Sequence, residues 1–148
     1  FKLQYDSGTL MINSSIPEEK CITLADADLL ARAFSNIIRN ACDASKNTGK
    51  IDINIRVSQN LWTLSVRDYG KGIEPQSMDK LFEPFYTTKT TGTGLGLAFA
   101  DQVAKAHGGI ITGENHGISG AVFCVKIPLE TLEQTNKDNL TNGTHSNS

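Results

Sequence analysis

The sequence predicts an α+β fold: a two-layer sandwich with a mixed, mostly antiparallel sheet and helices on one face. Residues 51–57 alternate strictly between apolar and polar side chains, and residues 61–66 nearly do, which is typical of an antiparallel hairpin with one buried face. Two helical segments flank this hairpin, and a second pair of short apolar strands follows the later helix. Strand pairs that come before and after a helix in the chain favour one mixed sheet that is covered by the helices.

The first 45 residues predict strands and then a long helix. Residues 1–24 contain short alternating stretches that are broken by residues 6–8 and by Pro17, so we expect short edge strands there. Asp26 or Asp28 then offers an N-cap for a helix that runs to about Ser45.

The second half predicts a functional loop, a helix and a returning strand pair. Residues 68–95 are dense in Gly, Pro and Thr, with one short helix near residues 77–81, and irregular stretches of that length are usually functional. A helix over residues 95–107 follows and is closed by Gly108 and Gly109. Short strands at 110–112 and 121–127 complete the sheet.

Composition predicts one folded unit, residues 1–129, and a disordered polar tail, residues 130–148. The 148 residues are 39% hydrophobic and 20% charged, which is ordinary for a globular domain. Asn, Thr and Ser dominate the tail, which cannot bury enough apolar surface to offset its ordering entropy. The net charge is −2, so we expect no nucleic-acid partner, because phosphate backbones demand clustered positive charge.

Cysteine usage and apolar run length indicate a cytoplasmic location. Cys21, Cys42 and Cys124 are widely separated, which fits neither a disulfide framework nor a zinc site. The apolar runs are far shorter than the roughly 20 residues that span a bilayer. The chain begins with Phe1 and not Met, so we expect it to be cut from a longer protein, whose membrane anchoring stays open.

Three polar or glycine-rich patterns point to ligand binding. Asn36, Asn40 and Asp43 follow i, i+4 and i+7 spacing, so they lie within about 60° of arc on the first helix. Asp68 ends a strand and precedes two closely spaced glycines, a pattern that lets a carboxylate accept an exocyclic amine while backbone approaches a flat ring. Residues 92–97 place three glycines at a helix start, where N–H groups and the helix dipole favour an anion.

The first two patterns alone also have a purely structural explanation, a solvated helix face and an Asp/Gly turn. Three glycines at a helix start are hard to explain structurally, because each costs up to ~1 kcal/mol in a helix. Several enzyme classes are unsupported, because neither the P-loop nor the Rossmann glycine spacing is present, and neither are the serine-hydrolase and metalloprotease motifs. His107 and His116 are isolated in the sequence, which favours capping or surface roles over catalysis.

Four sequence blocks stand in order: residues 36–44, 68–73, 81–89 and 92–97. They resemble the N, first glycine, F and second glycine boxes of the ATP-binding catalytic domain of two-component sensor histidine kinases. The resemblance covers roughly residues 20–128. It implies the Bergerat ATP-binding fold, which gyrase and mismatch-repair ATPases share.

The resemblance also implies residue roles. Asp68 would receive the adenine amino group, Asn40 would ligate Mg²⁺, and Lys89 would neutralise the γ-phosphate. Phe82 and Phe85 would anchor a lid over the phosphates, and the implied catalytic set is Asn36, Asn40 and Lys89. The implied nucleotide-binding set comprises Asn36, Asn40, Asp43, Asp68, Gly70, Gly72, Ile73, Phe85, Lys89, Gly92, Thr93, Gly94, Leu95, Gly96 and Leu97.

The residue at position 36 indicates the reaction class. Hydrolysing members of the superfamily carry Glu at the position of Asn36, and an amide cannot abstract a proton from water. The resemblance therefore implies a kinase that uses Mg²⁺ and ATP and transfers the γ-phosphoryl to a histidine on the dimerisation domain of its homodimeric parent. A response-regulator receiver domain would be an indirect partner.

Three alternatives stay open. A conformational ATPase of the same fold is disfavoured by Asn36. An anti-sigma serine kinase shares the fold but acts mainly by binding a partner protein. A degenerate module that binds nucleotide without catalysis is disfavoured by the four intact boxes.

Overall fold

The computed structural model describes residues 2–5, 8–17, 25–58, 60–90 and 92–129. The apolar stretch at residues 21–24 and the polar tail at residues 130–148 lie outside the described residues. The division of the chain into a folded unit and a disordered tail therefore stays a prediction.

Six strands form one sheet within the described residues. In chain order they are β1 (Lys2–Tyr5), β2 (Gly8–Ser15), β3 (Lys50–Ser58), β4 (Leu61–Asp68), β5 (Ile110–Asn115) and β6 (Ala121–Pro128). Across the sheet the order is β1-β2-β3-β4-β6-β5; β2 and β3 are parallel, and every other neighbouring pair is antiparallel. The predicted mixed, mostly antiparallel sheet is confirmed. The prediction of edge strands is right for β1 but wrong for β2, because β2 pairs with β3 on its other side.

Two α-helices, α1 (Ala27–Ala44) and α2 (Gly96–Ala106), and a short 3₁₀-helix (Pro75–Lys80) complete the fold. Asp26 is the N-cap of α1, and its carboxylate accepts the N–H of Leu29 at 2.9 Å. The predicted helix bounds are therefore correct to within about two residues. Within the described residues, no helix combines the length and the apolar character needed to cross a membrane.

His107 joins the ends of the two α-helices. Its Nδ1 lies 2.8 Å from the carbonyl oxygen of Val103, and its Nε2 accepts the N–H of Asp26 at 3.1 Å. The first contact places the ring proton on Nδ1 and leaves Nε2 as the acceptor. Gly108 follows at φ 69°, the left-handed conformation that ends helices. The predicted capping roles of His107 and Gly108 are confirmed.

The core lies between one face of the sheet and the two α-helices. Alternation along β6 illustrates it, because Phe123 and Val125 are buried while the intervening Cys124 is only half-buried. The buried residues of the cluster are Ala33, Ile37, Ala41, Cys42, Ile51, Leu64, Val66, Ala100, Val103, Ala104, Ile111, Ala121, Phe123, Val125 and Ile127. Both helices contribute to this one cluster, so the predicted placement of the helices on a single face is confirmed.

Two cysteines in the described residues are free. Burial raises the pKa of the Cys42 thiol, and the neighbouring Asp43 charge raises it further. Burial also raises the pKa of Cys124. Both side chains are therefore protonated at neutral pH and act as small apolar groups, as their surroundings in the sequence predict.

Replacing Ile37, which is fully buried in the core, by alanine is expected to lower the free energy of unfolding by about 2–5 kcal/mol. The loss combines the transfer free energy of the deleted methyl groups with that of the cavity they leave. Urea denaturation followed by circular dichroism measures it. Ile118 is fully exposed, so Ile118→Ala is the matched control and should stay within about 0.5 kcal/mol of the unmodified chain. Equal losses for the two substitutions would contradict this packing.

Candidate functional site

A cleft of about 810 Å³ opens beside α1, between the loop that follows β4 and the start of α2. This volume is in the range of small-molecule sites. The cleft is lined by every predicted nucleotide-binding residue except Phe85 and Leu95, namely by Asn36, Asn40, Asp43, Asp68, Gly70, Gly72, Ile73, Lys89, Gly92, Thr93, Gly94, Gly96 and Leu97. The fold thus brings together residues that are up to 61 positions apart in the sequence.

Phe85 and Leu95 do not line the cleft. Phe85 adopts φ 68° and leaves its side chain 75% exposed, and Leu95, at the N-cap of α2, is 42% exposed. The two segments are nevertheless held together, because the N–H of Phe85 donates to the carbonyl of Gly94 at 3.0 Å. Phe82 instead packs against the hydrophobic core. Of the two predicted lid anchors, Phe82 is packed inward, and Phe85 is connected to the lid only through its backbone.

The carboxylate of Asp68 is almost completely buried at the end of β4. Its Oδ1 accepts two backbone N–H groups, from Gly70 at 2.9 Å and from Ala121 at 3.2 Å. Its Oδ2 makes no hydrogen bond with any of the described residues, and Asp68 lines the cleft. A carboxylate that is fixed in this way has a free acceptor for an amine donor of a ligand.

We call residues 68–73 the ring loop. They begin at Asp68 and form the wall of the cleft against which the sequence predicts a flat ring. Gly70 passes close to α1, because a Cβ there would lie 2.5 Å from the carbonyl oxygen of Ala44. The N–H of Tyr69 donates to Oγ of Ser45 at 3.1 Å. Both contacts hold the loop against the C-terminal end of α1, which explains one of the two glycines that the sequence singles out.

The Tyr69 side chain is fixed at the rim of the cleft. Lys50 Nζ lies 4.4 Å and Arg67 Cζ lies 4.3 Å from the centre of its ring. Its hydroxyl donates to Asp52. Burial alone would raise the pKa of Asp52, but hydrogen bonds from Tyr69 and Asn13, together with the charges of Lys50 and Arg67, hold the pKa below its ordinary value.

The opposite end of the cleft is rich in oxygen acceptors and holds one ammonium group. Lys89 Nζ lies 2.8 Å from Oδ1 of Asn40 and 3.1 Å from Oδ2 of Asp43. The predicted spacing of Asn40 and Asp43 on one stripe of α1 is therefore confirmed. Amide and carboxylate oxygens are also the ligand types that a hard cation such as Mg²⁺ prefers. Within the described residues no group of three or more His, Cys, Asp or Glu side chains could hold a metal by itself.

The lid, defined as residues 86–94, has an anchor that sequence reasoning missed. The hydroxyl of Tyr86 donates to Oγ of the buried Ser77 at 2.6 Å, which connects the lid to the 3₁₀-helix.

Asn115, at the end of β5, is a second residue that sequence reasoning missed, and it hydrogen-bonds both backbone groups of Ile73. No local pattern marks Ser77 or Asn115, since each acquires its partner only through the tertiary fold.

The start of α2 faces the cleft through Gly96 and Leu97. Among the described residues no side chain caps this helix, so its first backbone N–H groups can bind an anion. Gly96 also lies against Asn36, because a Cβ there would be 3.6 Å from the side chain of Asn36. A cleft with a carboxylate acceptor at one end and a helix start at the other suits a ligand that carries an amine donor at one end and an anion at the other.

Comparison with known proteins identifies the family. Residues 25–131 match the family described as histidine kinase-, DNA gyrase B-, and HSP90-like ATPase. The chain belongs to this family, and its resemblance to the ATP-binding modules of sensor kinases is confirmed.

The curated relatives that match the chain include kinases. The chain is 36% identical over 111 residues to the sensor histidine kinase ZraS of Salmonella typhimurium, covering 74% of this chain and 24% of that protein. It is 31% identical over 125 residues to sporulation kinase A of Bacillus subtilis, covering 84% of this chain and 21% of that protein. The chain thus spans about a fifth to a quarter of the length of these relatives.

Solved structures agree with the fold. The nucleotide-free catalytic domain of the histidine kinase ThkA superposes with a TM-score of 0.70 at 34% identity, covering 80% of this chain and 76% of that one. Full-length ShkA in complex with AMPPNP superposes with a TM-score of 0.71 at 27% identity, covering 82% of this chain and 26% of that one. The chain therefore has the fold of the catalytic domains of histidine kinases.

Replacing Asp68 by asparagine is expected to weaken ATP binding by about 1–3 kcal/mol, because the substitution turns one acceptor oxygen into a donor. The unmodified chain should also bind GTP poorly, since guanine carries a carbonyl where adenine carries its amine. Isothermal titration calorimetry with both nucleotides measures these effects. Asp101→Asn, in a surface ion pair with Lys105 on α2, is the matched control and should leave ATP affinity unchanged. Equal affinity of the unmodified chain for ATP and GTP would contradict the role of Asp68.

Proposed function

We propose that this module binds Mg²⁺-ATP in the cleft and transfers the γ-phosphoryl to a histidine on the dimerisation domain of its parent kinase. One observation carries the proposal: Asp68, Asn40 and Asp43 line the same cleft. Asp68 offers a free acceptor oxygen there, and Asn40 and Asp43 offer oxygens that already contact a cationic group. The two groups suit opposite ends of a nucleoside triphosphate. The similarity to sensor kinases along 74–84% of this chain supports the same function.

At the base end, Asp68 accepts the exocyclic amine of adenine through Oδ2. The ring loop supplies backbone and small side chains, because Gly70 and Gly72 leave room for a flat ring and Ile73 adds an apolar surface. Burial strengthens this hydrogen bond, since the low local dielectric weakens competition from water.

At the phosphate end, positive charge comes from Lys89 and from the uncapped start of α2. Lys89 would leave Asn40 and Asp43 and pair with the γ-phosphate, which presents more negative charge than one carboxylate. Gly92, Thr93 and Gly94 allow the lid backbone to follow the phosphates closely. Phosphoryl transfer depends mainly on this positioning and charge neutralisation.

The residues that Lys89 contacts would hold the metal. Asn40 would bind Mg²⁺ through Oδ1, with Asp43 beside it and the phosphates completing the oxygen set. When bound, Mg²⁺ neutralises phosphate charge and orients the triphosphate.

Asn36 supports transfer over hydrolysis. It is half-buried on the cleft side of α1, where hydrolysing members of the superfamily carry Glu. Its amide cannot take a proton from water, so the bound γ-phosphoryl is preserved for a protein acceptor. This argues against a conformational ATPase, for which steady-state phosphate release is the test.

The acceptor and the partners belong to the parent protein. We expect a homodimeric kinase that passes its phosphoryl group to a response-regulator receiver domain, as part of cytoplasmic two-component signalling. An anti-sigma serine kinase is the alternative function for this fold. It transfers the phosphoryl group to a serine and not to a histidine.

Incubation with labelled ATP tests the acceptor. The 148-residue chain alone is expected to bind Mg²⁺-ATP and acquire no stable label, since none of its three histidines lies in an acceptor motif. Addition of the parent's dimerisation domain should transfer label to that domain's histidine, as a phosphoramidate that is labile in acid and stable in base. The rate should be well below that of the covalently linked kinase, because effective concentration is lost. Label on the chain itself, or on a serine of the partner, would favour the anti-sigma class.

Replacing Asn40 by leucine is expected to remove most of the Mg²⁺ dependence of ATP binding, because the side chain keeps its approximate size and loses its oxygen. Calorimetric titrations with and without Mg²⁺ measure the effect. Asn40→Asp is the matched control, since it keeps an oxygen at the same position and should keep the Mg²⁺ dependence. An unchanged Mg²⁺ effect in the leucine variant would move the metal ligand to Asn36 or Asp43.

A further inference from the structure

One side chain satisfies both backbone groups of Ile73 in the ring loop. Asn115 Oδ1 accepts the N–H of Ile73 at 2.6 Å, and Asn115 Nδ2 donates to the carbonyl oxygen of Ile73 at 2.9 Å. The two residues are 42 positions apart. The amide of Asn115 therefore takes the place of a neighbouring strand for this part of the loop, which has no strand partner of its own.

The hairpin between β5 and β6 carries Asn115 and contacts the ring loop at two further points. Asn115 pairs with Ala121 in the register of the two strands, and the N–H of Ala121 donates to Oδ1 of Asp68. Gly120 packs so closely that a Cβ there would lie 2.1 Å from the carbonyl oxygen of Asp68. One hairpin thus sets both the direction of the Asp68 carboxylate and the path of the loop that follows it.

Gly72 is adapted to the same contact. Its φ of 82° lies in the left-handed region, and a Cβ at this position would lie 2.6 Å from Oδ1 of Asn115. The second glycine of the ring loop is therefore required by Asn115 as well as by backbone conformation. The neighbouring Lys71–Glu74 ion pair is exposed to solvent and contributes little to the loop.

Asn115 does not itself line the cleft, whereas Gly72 and Ile73 do. We propose that Asn115 is a positioning residue for base recognition: it holds Gly72 and Ile73 against the purine ring that Asp68 receives. The inference rests on the proposed binding of ATP in this cleft. It assigns Asn115 to the base end alone, because within the part of the chain that the structure describes its side chain hydrogen-bonds only to Ile73 of the ring loop.

Calorimetry on the 148-residue chain and its Asn115→Ala variant tests this assignment, with Mg²⁺-ATP, Mg²⁺-GTP and Mg²⁺-tripolyphosphate as ligands. Loss of two hydrogen bonds that order the loop is expected to raise the Kd for ATP roughly tenfold. The ratio of the Kd for GTP to the Kd for ATP should decrease in the same variant. The Kd for tripolyphosphate, which has no base, should change less than twofold. A residue that merely supports the fold would weaken all three ligands together.

Two further variants complete the test. Glu114→Ala, the exposed neighbour on the opposite face of β5, is the matched control and should bind ATP as the unmodified chain does. Asn115→Asp keeps an acceptor for the N–H of Ile73 and loses the donor to its carbonyl, so its ATP affinity should be intermediate. If Asn115→Ala does not fold, the ATP affinity of Asn115→Asp tests whether Asn115 positions the ring loop.

The outcomes separate the two proposals. Unchanged ATP affinity in both Asn115 variants, or parallel loss of ATP and tripolyphosphate, would overturn the positioning role while ATP binding by the unmodified chain still stands. Failure of the unmodified chain to bind ATP would refute the proposed function, and the inference about Asn115 with it.

Discussion

The buried carboxylate of Asp68 is the group on which the arrangement of the cleft depends. A carboxylate that is only 2% exposed needs hydrogen-bond donors, and it finds them in the backbone of the ring loop and of β6. These bonds connect β4, β6 and the loop through a single oxygen atom. The other oxygen has no partner among the described residues, so a ligand can supply the donor that the protein does not.

Close backbone packing makes this arrangement possible. Gly120 and Gly70 stand where a Cβ would collide with the carbonyl oxygens of Asp68 and Ala44, at 2.1 Å and 2.5 Å. The ring loop therefore lies in a narrow space between the end of α1 and the hairpin of β5 and β6. Within this space Ser45 and Asn115 satisfy backbone groups of the loop. Neither Ser45 nor Asn115 lines the cleft, so side chains outside it hold the loop that forms its wall.

The end of the cleft that holds Lys89 is organised by charge more than by packing. Lys89 pairs with Asn40 and Asp43, and its side chain is 40% exposed. Water therefore screens the ion pair, and a competing anion can take the place of Asp43. A lysine on a glycine-rich lid can change partners with little rearrangement of the core. The two ends of the cleft therefore differ: Asp68 is buried and held by hydrogen bonds, while Lys89 is partly exposed and held by an ion pair.

The sequence alone determined the helices, the hairpin, the mixed sheet and most of the cleft, because hydrophobic periodicity and the motif boxes are local signals. It could not determine that β2 lies inside the sheet, since strand pairing depends on distant partners. It also predicted Phe85 and Leu95 among the binding residues, but neither lines the cleft, and both side chains are exposed. Only the tertiary structure brought Ser77 to Tyr86 and Asn115 to Ile73, because a hydrogen bond between distant residues has no signature in local sequence.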